Sequence, residues 1–127
     1  VKNMLSVKGI EIKDFGAFTY NAQDDYPDFI LPAAQYIADN NLIGIIFGGS
    51  GQGEAIAANR IKGIRAAVFY NGPEEIIQLS KLHNNANVLS IGARFVDKSR
   101  AEEIIDLWLS TSFEEGRHQR RIEKLDS

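Results

Sequence analysis

Apolar and polar positions change period repeatedly along this chain, and each change marks a new element. Val1 to Gly9 reads as the last turns of a helix closed by a glycine. Gly9 to Phe15 (Gly-Ile-Glu-Ile-Lys-Asp-Phe) alternates apolar and polar residues, the period of a half-exposed strand. A loop from Gly16 to Asp24 carries exposed aromatics. Asp24-Asp25-Tyr26-Pro27 then supplies an N-cap and an early proline for a helix running to about Asn40. Its apolar stripe is Phe29, Ile30, Ala33, Ala34 and Ile37, and Pro32 inside it implies a late start or a kink. Ile43 to Phe47 is apolar throughout, as in a parallel strand buried on both faces. A helix from about Gly53 to Ile61, a strand from Ile64 to Tyr70 and a helix from Pro73 to near His83 follow. Val88 to Ala93 is another strand. Asp97 caps a helix whose apolar stripe is Ala101, Ile104, Ile105, Trp108 and Leu109. A last helix, from about Phe113 to Leu125, is charged and poor in apolar residues, so it is expected to pack on something outside its own core, such as a second subunit.

Strands alternating with helices predict an α/β fold with a mostly parallel sheet in one domain. Such sheets bind ligands at the carboxyl ends of their strands, here the loops after Phe15, Phe47, Tyr70 and Ala93. Composition narrows the function. A net charge of −3 argues against general nucleic-acid binding. No apolar run approaches the roughly 20 residues that span a bilayer, and no signal-peptide pattern is present. With no cysteine there is no disulfide, thiolate nucleophile or cysteine metal site, which is compatible with a cytoplasmic location.

The chemistry concentrates where the strand ending at Phe47 meets Gly48-Gly49-Ser50-Gly51-Gln52-Gly53-Glu54. Strand, glycine turn and helix together aim backbone N–H groups at an anion. Three phosphate-loop and nucleophile templates nearly fit. Gly48 and Gly53 have the Walker A spacing, but Glu54-Ala55 replaces the required Lys-Ser/Thr. A dinucleotide fingerprint begun at Gly49 would need glycine at Glu54. A nucleophile elbow begun at Gly48 would need glycine at Gln52. Glu54 spoils both nucleotide motifs. It either acts as a general base, with Ser50 and the amides of Gly49, Gly51 and Gly53 stabilising an oxyanion, or simply sits favourably in a first helical turn.

Arg117 and Arg121 are four residues apart on the last helix, a spacing suited to clamping phosphate or to pairing with Glu114, Glu115 and Glu123. Arg94 directly follows a strand, where it can hold an anion or form a structural ion pair. His83, at a helix end just before the last strand, is expected near the same functional edge, as an acid–base group or a helix cap. His83 and His118 have no metal-ligand spacing, so no metal site is expected.

Taken together, these stretches resemble the ribose-5-phosphate isomerase B family, which includes the galactose-6-phosphate isomerase subunits. The similarity rests on Asp25-Tyr26-Pro27, the glycine loop with Ile56-Ala57-Ala58-Asn59-Arg60, Gly63-Ile64-Arg65-Ala66, His83-Asn84-Asn85-Ala86-Asn87-Val88, Gly92-Ala93-Arg94 and Arg117-His118-Gln119-Arg120-Arg121. The resemblance implies a three-layer α/β/α sandwich with a Rossmann-like five-stranded sheet. It implies that Glu54 is the base in a cysteine-less branch, where other members carry cysteine at the position of Gly48. It implies that Ser50 stabilises an enediolate and His83 assists ring opening beside Asn84. Tyr26 would line the sugar site, and Arg94, Arg117 and Arg121 would hold the phosphate with His118 nearby. No cofactor is implied. Sites in the family form between two subunits of a homodimer, or of a tetramer built from it. The family's first strand, with its Asp-His pair, has no counterpart here, so the native polypeptide is expected to be longer by a strand and most of a helix.

The expected reaction is isomerisation of ribose 5-phosphate to ribulose 5-phosphate. The alternatives are a hexose 6-phosphate (allose or galactose) isomerase and a sugar-phosphate binder without catalysis. A serine hydrolase using Ser50 is the remaining option, and the failed elbow speaks against it.

Overall fold

The computed structural model describes residues 1–17, 23 and 25–126. Its elements are α1 (Lys2–Val7), α2 (Pro27–Asn40), β1 (Gly44–Gly48), α3 (Gln52–Asn59), β2 (Ala66–Phe69), α4 (Glu74–Leu82), β3 (Val88–Gly92), α5 (Lys98–Ser110) and α6 (Arg117–Glu123). The three strands are parallel in the order β1-β3-β2, with Gly44 and Ala66 both opposite Val88. β3 is buried along its whole length because it is the central strand, although Ser90 interrupts its apolar run. Its side chains alternate between two cores. Leu89 and Ile91 join Phe69, Ile77, Ile104, Ile105 and Trp108 under α4, α5 and α1. Val88 joins Ala34, Ile37, Ile46 and Ala58 under α2 and α3. A helical layer therefore lies on each face of the sheet, as the Rossmann-like α/β expectation requires.

Local signals act as read. Gly9, at φ +78°, closes α1 by donating from its N–H to the Ser6 carbonyl (3.0 Å), while Ile10 N–H reaches Leu5 (3.0 Å). The Asp97 carboxylate accepts from Arg100 N–H at 2.8 Å and so caps α5. α2 begins at Pro27 and continues through Pro32, so the late start is not what happens. The aromatics Phe18 and Tyr20 and the expected cap Asp24 lie outside the described residues.

Three expectations are corrected. Residues 9–15 form no strand, so the described sheet has three strands rather than the four read along this chain. A strand needs a neighbour's N–H and C=O groups, and this segment is held by side chains instead. Ile12 packs on the larger core, Phe15 meets the Tyr36 ring at 5.4 Å, and Lys13 Nζ lies 4.1 Å over that ring. β1 is not buried on both faces: it is an edge of the described sheet, and Phe47 is 48% exposed. The last helix is shorter than its charge pattern suggests. Glu115 and Gly116 take φ values of +66° and +63°, a backbone no α-helix continues through, and α6 starts only at Arg117.

Candidate active site

The glycine turn runs from the end of β1 into α3 and is tied to the end of β3. Ala93 N–H donates to the Gly48 carbonyl (2.7 Å) and Arg94 N–H to the Gly49 carbonyl (3.1 Å). The buried Ser90 hydroxyl donates to the Gly51 carbonyl at 2.8 Å. Gly51 caps α3 at φ +78°, and a side chain there would meet the backbone of Ile91 and Gly92 at 3.1 Å. The turn is therefore rigid, and its anchor Ser90 carries no sequence motif of its own.

Four predicted site residues gather on this turn. Glu54 sits in the first turn of α3, half-buried, with its carboxylate folded back against Gly48. A Cβ built on Gly48 would lie 2.8 Å from Glu54 Oε2 and closer still to Oε1. The Ser50 Oγ accepts from Gln52 N–H at 3.2 Å. Arg94 is exposed, and its guanidinium lies beside Gly49, where a Cβ would stand 3.1 Å from Nε. The Tyr26 hydroxyl lies over Gly53, 2.7 Å from where a Cβ would be. Glycine at 48, 49 and 53 thus leaves room for a carboxylate, a guanidinium and a phenol around one backbone turn. Among the described residues Arg94 forms no ion pair, so its charge is available to an anion.

The remaining predicted residues gather elsewhere. β1 and β3 are parallel, with Gly48 opposite Gly92 at the carboxyl edge and Gly44 opposite Val88 at the amino edge. His83 caps the end of α4, and only Asn84–Asn87 separate it from Val88. His83 and Asn84 therefore stand at the amino edge, not at the functional edge where the sequence placed them. The physical reason is connectivity: a helix crossing back between parallel strands ends where the next strand begins. At about 3.3 Å per residue the sheet is about 13 Å deep from Gly44 to Gly48, more than a side chain can bridge.

At that amino edge His83 stacks on His118, with ring centroids 4.3 Å apart and planes at 16°. Glu114 N–H donates to the Leu82 carbonyl (3.0 Å), which brings its carboxylate to 3.6 Å from His83 Nε2. A cavity of about 300 Å³ is lined by His83, Asn84, His118, Arg121, Ile122 and Leu125. His118 is buried. That burial, with His83, Arg117 and Arg121 adding positive charge, holds it below the ordinary histidine value, against a smaller opposite pull from Glu114. Among the described residues Arg117 and Arg121 form no ion pair; the expected pairing with Glu114, Glu115 and Glu123 is absent because Glu114 faces His83 and Glu123 bonds Gln119 at 3.0 Å. The separation of His83 and His118 in sequence concealed their contact, which packing of the 114–122 segment on the end of α4 creates.

Other residues of the quoted stretches hold the frame. Asn59 spans β2 residue Ala66, accepting from its N–H (2.7 Å) and donating to its carbonyl (3.1 Å). Asn87 accepts from Arg65 N–H (2.7 Å) and donates to the Gly63 carbonyl (2.8 Å), while Arg65 Nε donates to the Asn85 carbonyl (2.8 Å).

The sequence profile described as Ribose/Galactose Isomerase matches residues 1–125. The chain belongs to that family. Ribose-5-phosphate isomerase B of Mycolicibacterium paratuberculosis is 43% identical over 123 residues, covering 95% of this chain and 76% of that protein. Among solved structures, ribose-5-phosphate isomerase B of Clostridium thermocellum superposes with a TM-score of 0.90 at 40% identity, over 98% of this chain and 83% of that one. The Mycoplasma genitalium enzyme, whose structure contains bound ribulose-5-phosphate, also gives 0.90 at 40% identity, over 97% and 81%. This isomerase family accounts for the quoted motifs and for the α/β layers. Among the described residues, no helix is long and apolar enough to cross a membrane.

Proposed function

We infer that the chain interconverts ribose 5-phosphate and ribulose 5-phosphate, with its reacting groups around the glycine turn. The observation that carries the residue assignment is the convergence of Glu54, Ser50 and Arg94 on the Gly48–Gly51 backbone at the N-terminus of α3. Glu54 removes the proton from C2 of the open aldose. The electron pair forms the enediolate, whose oxygen is held by the Ser50 hydroxyl and the amides of Gly49, Gly51 and Gly53. The O2 hydroxyl proton passes to O1, and Glu54 returns the carbon-bound proton to C1, giving the ketose with its carbonyl at C2. Acid–base groups suffice, so the reaction calls for no metal or organic cofactor.

The two clusters at opposite edges of the sheet support a homodimer. A two-fold axis that brings the amino-edge cluster of one copy to the carboxyl edge of its partner builds two identical composite sites. In each, one copy supplies Glu54, Ser50, Tyr26 and Arg94. The other supplies His83 for ring opening, Asn84 beside it, and Arg117, Arg121 and His118 for the phosphate. The exposed, charged face of α6 is then an interface.

Glu54→Gln tests the base. Isomerisation is expected to fall about 10²–10⁴-fold, with ribose 5-phosphate binding retained by calorimetry and release of C2 deuterium to solvent falling in step. Near wild-type exchange in this variant would rule Glu54 out as the base.

A further inference from the structure

The amino-edge cluster carries a second chemistry. His83, Glu114 and His118 each offer one ligand atom, and these atoms all lie within 4.8 Å of one another. Two imidazoles and a carboxylate are the donor set of three-ligand zinc centres with an open fourth position. His118 is 5% exposed, and among the described residues its buried Nε2 has no hydrogen-bond partner, although a buried polar nitrogen normally has one. From this geometry we propose that His83, Glu114 and His118 bind a divalent cation of the zinc class, with the fourth position open to water or a phosphate oxygen.

Metal–ligand bonds of about 2.0–2.2 Å place tetrahedral ligand atoms roughly 3.3 Å apart. The three atoms must therefore close by at most about 1.5 Å from the observed 4.8 Å. That movement falls on His83 and Glu114, whose side chains are 39% and 55% exposed, while buried His118 stays in place. His83 has to turn out of its stack on His118 to aim a ring nitrogen at the ion. Arg117 and Arg121 act against a dication and set the affinity below that of a structural zinc site. Nitrogen donors select Zn²⁺, Co²⁺ or Ni²⁺ over Mg²⁺, which takes oxygen ligands. Resting on the isomerase reading, the consequence is inhibition, because the ion occupies His83 and the phosphate-binding face.

The binding test uses the full chain without substrate, so it stands apart from the isomerase reading. Titration with Co²⁺ is expected to give the visible absorption of tetrahedral cobalt, saturating at one ion per chain, reversed by Zn²⁺ and indifferent to Mg²⁺. Glu114→Gln and His83→Gln, neither at a buried position, should each weaken binding at least about tenfold. No tetrahedral band, or a band unchanged in both variants, overturns the proposal. In a separate assay, Zn²⁺ should inhibit the wild type at least about tenfold more strongly than Glu114→Gln; equal inhibition overturns the inhibitory role. A chain that binds Co²⁺ as described but isomerises no sugar phosphate confirms the ion site and fails the functional reading.

Discussion

A side chain at position 48 has to share space with the Glu54 carboxylate. The clash falls on the far end of a flexible side chain rather than on backbone, so the fold can absorb a methyl group while the carboxylate cannot stay where it is. Gly48→Ala is expected to lower kcat at least about tenfold, since small displacements of a base are costly, and to shift Tm by only a few degrees. A wild-type kcat would mean the carboxylate need not occupy that spot. His118 gives a pH prediction. Its folded pKa lies below the ordinary 6.5, because of burial first and of His83, Arg117 and Arg121 next, with Glu114 opposing. Between the lowered value and 6.5 the unfolded chain binds the proton that the folded chain refuses. The contribution is therefore complete above 6.5 and is lost as pH falls through that window. Thermal melts between about pH 7.5 and 5.5 should show a steeper decline for the wild type than for His118→Gln. Parallel curves would refute the assignment.

At the scale of elements, the amino edge of the sheet is locked by side chains rather than by strand pairing. Asn87 joins β3 to the turn before β2, and Arg65 holds the Asn85 carbonyl, so the segment carrying His83 and Asn84 is gripped on both sides. Asn87→Ala removes one donor and one acceptor from partly buried backbone partners. It is expected to cost roughly 2 kcal/mol, measured by chemical denaturation, and to raise KM for the sugar phosphate because Asn84 loosens with it. A stability loss below about 0.5 kcal/mol would show that water replaces both bonds without penalty. Ser90 does the corresponding work at the carboxyl edge through Gly51. These asparagines and this serine are small and polar, and only their partners reveal that they are structural.

For the whole molecule, the decisive quantity is the depth of the sheet. Glu54 and His83 belong to opposite edges, so the proposed dimer predicts complementation. Glu54→Gln and His83→Gln chains are each expected to be nearly inactive. Unfolded together and refolded as a mixture, half of the dimers should be mixed, and each mixed dimer should hold one intact site and one doubly defective site. Activity should then recover to roughly one quarter of wild type. A mixture as inactive as its components would show that each chain completes its own site.

The periodicities determined which segments become helices, and the glycine turn with Glu54 was legible because it broke two nucleotide templates at the same residue. α/β layering follows from those patterns, since each apolar stripe has only a sheet face to cover it. What the linear chain could not determine was pairing and side. Alternation over residues 9–15 states which face is apolar but not whether a neighbouring strand exists, and none of the described strands lies beside it. A position just before a strand gives no hint that it lies across the sheet from the loops that follow the strands. The meeting of His83, Glu114 and His118, and the space that Gly48 leaves for Glu54, arise from contacts between segments distant or folded back in the chain. Local order is written in the spacing of neighbours, whereas the composition of a site depends on which distant segments the packed core brings together.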